Sequence, residues 1–139
     1  MKKIIEELEK LANKALKHGD VPVGALLVKS GKIIAKGYNK VEKTKDLTAH
    51  AEVVAIKRAI KQLKTTNLST CELYVSLEPC LMCKEVIARA KIPKVYYFVD
   101  KEFKKGFLPK YNKIIDSEKE SEMSELLKLF FVKIREVKR

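Results

Sequence analysis

Any fold this chain adopts has to satisfy two helix starts that carry the same kind of chemistry. His50-Ala51-Glu52 opens a helix predicted from Ala49 to about Leu63, and Pro79-Cys80-Leu81-Met82-Cys83 opens another predicted from Cys80 to Ala90. Cys80 and Cys83 stand three apart on the first turn, so both sulfurs leave one face, where the positive helix end favours thiolates. A histidine and two cysteines can hold zinc through three protein ligands and leave its fourth position open. Glu52 is offset from His50 by two residues and points elsewhere, which suits a proton carrier better than a ligand. If the two helix starts converge, the result is an open, hydrolytic metal site.

The rest of the pattern supplies a frame for that convergence. Ile4, Ile5, Leu8, Leu11, Ala12, Ala15 and Leu16 recur at helical spacing, predicting an amphipathic helix over Lys2 to Lys17 that ends at His18-Gly19. Val23 to Lys29 and Lys32 to Tyr38 are rich in Val, Leu and Ile and are split by Ser30-Gly31, which predicts a β-hairpin. A polar, lysine-rich loop follows Gly37-Tyr38-Asn39, and Thr48 is positioned to cap the next helix. Strands are predicted at Leu73 to Leu77 and Val95 to Val99, with a short one at Lys113 to Ile115. Met123, Leu126, Leu127, Phe130, Phe131, Ile134 and Val137 then give a last amphipathic helix with a basic polar side. Helices alternating with short apolar strands predict a three-layer α/β domain whose sheet is covered on both faces. No repeat, low-complexity stretch or linker interrupts the chain, so a single domain over 1–139 is expected.

Composition bounds the partners. A hydrophobic content of 46% over 139 residues supports one sizeable core. No apolar run reaches the roughly 20 residues that span a bilayer, and the N-terminus turns acidic at Glu6-Glu7, so a cytoplasmic protein is expected. Three cysteines are too few and unevenly numbered for a disulfide framework, and Cys71 reads as a small core residue of a strand. The net charge of +12 favours a polyanionic partner, although abundant Lys, Glu and Ile also fit an AT-rich genome or a heat-adapted proteome.

Cys-x-x-Cys alone also fits a redox pair or half of a structural zinc site. A structural site needs a fourth protein ligand; there is no fourth cysteine, and His18 falls at the far end of the first helix. Neither alternative gives His50-Ala51-Glu52 a task.

Thr48-Ala49-His50-Ala51-Glu52 together with Leu77-Glu78-Pro79-Cys80-Leu81-Met82-Cys83 resembles the H-x-E and P-C-x-x-C signature of the zinc-dependent cytidine and adenosine deaminase superfamily. Val21-Pro22-Val23-Gly24-Ala25, Gly37-Tyr38-Asn39 and Phe130-Phe131 are similar to its branch of bacterial-type tRNA-specific adenosine deaminases. The resemblance runs from about Asp20 to Asp100. It implies a cytidine deaminase-like α/β/α fold with a central mixed sheet of about five strands. It also implies zinc ligands His50, Cys80 and Cys83, a proton shuttle at Glu52, and contacts to the target base from Asn39 and Ala51.

The implied reaction is hydrolytic deamination of adenosine to inosine at the wobble position of a tRNA, an arginine tRNA in the family's usual case, by a homodimer. A zinc-activated water is the nucleophile and Glu52 shuttles its proton. The anticodon loop would be read with its base splayed out. Two other functions stand beside it: deamination of a free base or nucleoside such as guanine or cytosine, and a catalytically silent, zinc-stabilised RNA-binding protein. The chain departs from the branch at Asp20, where glutamate is common, and over Phe103 to Lys110, which is more basic and aromatic than expected. Phe103 and Phe107 there are expected to pack into the core beneath a loop.

Overall fold

The computed structural model describes residues 1–101 and 109–138. The chain divides into two compact units, Met1–Phe103 and Lys104–Arg139. In the first, the elements run α1 (Lys2–Lys17), β1 (Gly24–Lys29), β2 (Lys32–Tyr38), α2 (Val41–Thr44), α3 (Ala51–Leu63), β3 (Cys71–Leu77), α4 (Leu81–Arg89) and β4 (Lys94–Val99). The second carries α5 (Ser117–Lys138).

Among the described residues the sheet has four strands in the order β2-β1-β3-β4. β1 runs antiparallel to both β2 and β3, while β3 and β4 are parallel and joined through α4, so the sheet is mixed. The expected count of about five is therefore corrected to four. Lys113 to Ile115 forms no strand; instead Asp116, just beyond it, starts α5 by accepting the Lys119 N–H on its carboxylate at 3.1 Å. The expectation placed on Phe103 and Phe107 falls outside the described residues.

Alternation along the strands sends successive side chains to opposite layers. Ala25, Leu27, Leu73 and Val75 pack with Ala51, Ala55, Ile56 and Ala59 of α3 and Ile87 of α4. Leu26, Tyr38 and Tyr74 face the other way and meet Leu8 and Leu11 of α1. Cys71 is fully buried in the first of these layers, as its strand setting predicts.

Two glycines set how closely the helices approach. A Cβ on Gly24 would lie 2.7 Å from the Leu11 side chain and from the Leu8 carbonyl oxygen, so α1 rests directly on β1. A Cβ on Gly37 would collide with the Ala51 carbonyl oxygen and lie 2.7 Å from the Ala55 nitrogen, so the first turn of α3 rests directly on β2. That second contact places His50 beside the end of the sheet.

Candidate metal centre and cavity

His50 and Cys80 are the residues immediately before the first turns of α3 and α4, both with extended backbone. Neither end has a side-chain cap. Thr48, expected to cap α3, instead donates its hydroxyl to the Asp46 carboxylate at 2.7 Å, because the helix begins only at Ala51. The two uncapped ends meet. His50 Nδ1 lies 3.6 Å from Cys80 Sγ and 3.3 Å from Cys83 Sγ, and the three donor atoms all fall within 4.8 Å of one another.

A tetrahedral zinc ion, bonded at about 2.0 to 2.3 Å, holds neighbouring ligand atoms roughly 3.3 to 3.8 Å apart. The donor set therefore fits zinc in both spacing and chemistry, with two sulfurs and one imidazole on one side of an ion. Burial pushes the Cys83 thiol up, and Glu52 and Cys80 push it the same way. A divalent cation reverses that balance, since coordination deprotonates a thiol outright.

Around this cluster lies a cavity of about 440 Å³. Asn39, His50, Ala51, Glu52 and Cys80 all line it, and Cys83 sits fully buried behind them. The sequence-derived site residues are thus all brought together in one place. Glu52 is only 4% exposed and lies against the Cys83 thiol. Ala51 is the first residue of α3, and its N–H has no intrahelical acceptor.

Asn39 is set by its own hydrogen bonds. Its backbone N–H donates to the Val23 carbonyl at 3.2 Å, and its side-chain oxygen accepts the Val41 N–H at 3.2 Å. The amide oxygen is committed to the protein. What Asn39 offers a ligand is its NH2 group, a double donor.

Sequence reasoning missed the group that fixes this arrangement. Asp20, 4% exposed, accepts the backbone N–H groups of Glu42 at 2.6 Å and Lys43 at 3.2 Å. Together with Asn39 it satisfies the first three N–H groups of α2, a helix that was expected to be loop. The only signal was an acidic residue just ahead of the first strand. Glu78 and Lys101 also line the cavity. Glu78 accepts the Lys84 ammonium at 3.2 Å and the Lys101 N–H at 3.4 Å, and these bonds, the Lys84 one foremost, hold its carboxyl below the usual range.

Comparison with known proteins places this geometry in a group. Residues 1–99 match the family described as the cytidine and deoxycytidylate deaminase zinc-binding region. The tRNA-specific adenosine deaminase of Aquifex aeolicus (strain VF5) is 43% identical over 135 residues, covering 89% of each chain. A structure from work on A-to-I editing by tRNA:A34 deaminases at the wobble position of transfer RNA superposes with a TM-score of 0.70 at 37% identity, covering 72% of this chain and 77% of that one. The guanine deaminase of Bacillus subtilis superposes with a TM-score of 0.74 at 31% identity, covering 88% and 91%.

Proposed function

This chain belongs to the cytidine and deoxycytidylate deaminase zinc-binding family, and on that premise we propose that it hydrolyses adenosine to inosine at the wobble position of a tRNA. The observation that carries the reading is one cavity in which a His/Cys/Cys cluster and a buried carboxylate stand together. His50, Cys80 and Cys83 are the residues that would hold zinc. When bound there, zinc lowers the pKa of a coordinated water toward neutrality and so supplies the nucleophile.

Glu52 moves the protons. Its carboxylate takes one from the attacking water, delivers it to the adenine ring nitrogen next to the amine-bearing carbon, and protonates the departing amine in a second transfer. One water is consumed, one ammonia leaves, and adenine becomes hypoxanthine. The Asn39 NH2 donates to an acceptor on the base edge, and the unpartnered Ala51 N–H serves as a second donor beside it. With no charge of its own, Asn39 holds the base without competing for the metal.

RNA rather than a free base is favoured by the net charge of +12, by Lys101 at the cavity itself, and by the identity with the Aquifex tRNA enzyme over 89% of both chains. The same reading extends to the anticodon loop of an arginine tRNA, a homodimer, and action in the cytoplasm. Among the described residues no helix is long and apolar enough to cross a membrane. Incubating total tRNA with the zinc-loaded protein and sequencing it tests the proposal. Inosine at the first anticodon position is expected, and its absence from an arginine tRNA bearing adenosine there rejects the reading.

The likeness to the B. subtilis guanine deaminase supports a second reading, deamination of a free purine at the same site. Ammonia release from free guanine with tRNA left unaltered would establish that one instead.

A further inference from the structure

The residues flanking Asn39 gather cations that deamination chemistry leaves without a task. Lys40 Nζ lies 4.8 Å and Lys43 Nζ 5.6 Å from the centre of the Tyr38 ring, and Lys43 Nζ also donates to the Tyr38 hydroxyl at 3.1 Å. The His18 imidazole stacks against the same ring at 6.3 Å and 15°. Burial, and then the charge of Arg58, push the half-buried Lys40 ammonium below its usual range. Among the described residues no carboxylate lies within 4.0 Å of the charged side-chain nitrogens of Lys40, Lys43 or Arg58. Nearby acids are committed elsewhere, Glu42 to Lys45 at 3.2 Å and Asp20 to the backbone of α2. Like charges brought together without a counter-charge repel, and an anion from outside removes that cost.

Along the chain, the residues of the cluster are interleaved with residues that line the cavity. Asn39 lies between Tyr38 and Lys40, Val41 and Glu42 lie between Lys40 and Lys43, and Gly19 follows His18; Gly19, Asn39, Val41 and Glu42 all line the cavity. His18 and the two ammonium groups already gather about the Tyr38 ring. Ammonium N–H donors remain, and compact point charges of this kind suit phosphate oxygens. We propose that Lys40 and Lys43, held at Tyr38, form a phosphate subsite that grips the RNA backbone beside the nucleotide whose base enters the cavity. This rests on the RNA reading of the site and adds where the strand is held.

The test uses the full, zinc-loaded chain and a synthetic anticodon stem-loop bearing adenosine at the wobble position. Lys40→Gln/Lys43→Gln is compared with a charge-matched pair at the other end of the β1–β2 hairpin, Lys29→Gln/Lys32→Gln, after checking that both melt as the wild type does. Binding by fluorescence anisotropy across a salt series needs no turnover. Loss of two single-strand phosphate contacts makes the slope of log affinity against log salt shallower by about 1.4 and weakens binding on the order of tenfold at moderate salt. Lys40→Arg/Lys43→Arg keeps both charges and restores binding. Equal slopes and affinities for the two Gln pairs overturn the subsite. Failure of the wild type to form inosine while the slopes still differ overturns the proposed function and leaves the subsite standing.

Discussion

The backbone N–H of Lys40 donates to the carbonyl of Ala49 at 2.8 Å, which fastens the residue after Asn39 to the residue before His50. The Asn39 end of the cavity and its His/Cys/Cys end are thus joined by one backbone bond, and α2 is the short link closed by it. Asn39 is thereby tied to the start of the segment that carries His50.

Removing the Asn39 amide should weaken recognition without emptying the metal centre. Asn39→Ala takes away the donor pair and leaves the Val41 N–H without its acceptor. A lost hydrogen bond of this kind costs about 1 to 3 kcal/mol, so kcat/KM should fall roughly 5- to 150-fold while zinc content by elemental analysis stays at the wild-type level. Loss of zinc in this variant would show that Asn39 is structural.

Asp20 should act at a distance. Asp20→Ala leaves two backbone N–H groups of α2 unsatisfied, and the melting temperature should drop by several degrees, in line with about 1 to 3 kcal/mol. Asp20→Asn retains one acceptor oxygen and should lose less. A rise in KM larger than the fall in kcat, measured on the anticodon stem-loop, would identify Asp20 as a positioning residue for Asn39.

Glu52→Ala separates proton transfer from metal binding. General acid–base catalysis contributes typically 10²- to 10⁴-fold, and a loss of at least about 100-fold in kcat with zinc retained is expected. Undiminished inosine formation in this variant would remove Glu52 from the chemistry. A protein that never formed inosine, with or without Glu52, would match a zinc-stabilised RNA binder.

The two close-packed glycines should fail differently. Gly37→Ala forces α3 away from β2 at Ala51 and Ala55, costing about 1 to 3 kcal/mol and shifting His50, so zinc affinity should fall together with stability. Gly24→Ala strains α1 against β1 on the opposite face of the sheet and should lower the melting temperature while the folded protein keeps its zinc affinity. Zinc titration monitored alongside thermal melting distinguishes the two.

Chelation should abolish activity and lower the melting temperature, because an ion bound only by the folded chain stabilises that chain. Zinc should restore both, and magnesium neither, since two thiolates and an imidazole are poor ligands for a hard cation. Cys80→Ser should behave like the chelated protein.

Much of this protein could be read from its residues because the relevant physics is local. Helical spacing in Lys2–Lys17, and a β-branched, apolar run bounded by Ser30-Gly31 in Lys32–Tyr38, mark those elements to their ends, since both signals belong to a short stretch of chain. His50, Glu52, Cys80 and Cys83 declare their chemistry through identity and offset along a helix, whatever surrounds them. Tertiary structure decided the rest, wherever a group's partner comes from far along the chain. Val41–Thr44 looked like loop because four polar-flanked residues cannot sustain a helix alone; Asp20, across the sequence, supplies the acceptors that make it one. Thr48 looked like a cap until Asp46 claimed its hydroxyl, and Lys113 to Ile115 looked like a strand although it pairs with none of the four strands among the described residues. The cation cluster at Tyr38 could not be seen in advance for the same reason: charge is counted along a chain, but repulsion and recognition depend on which charges the fold brings close.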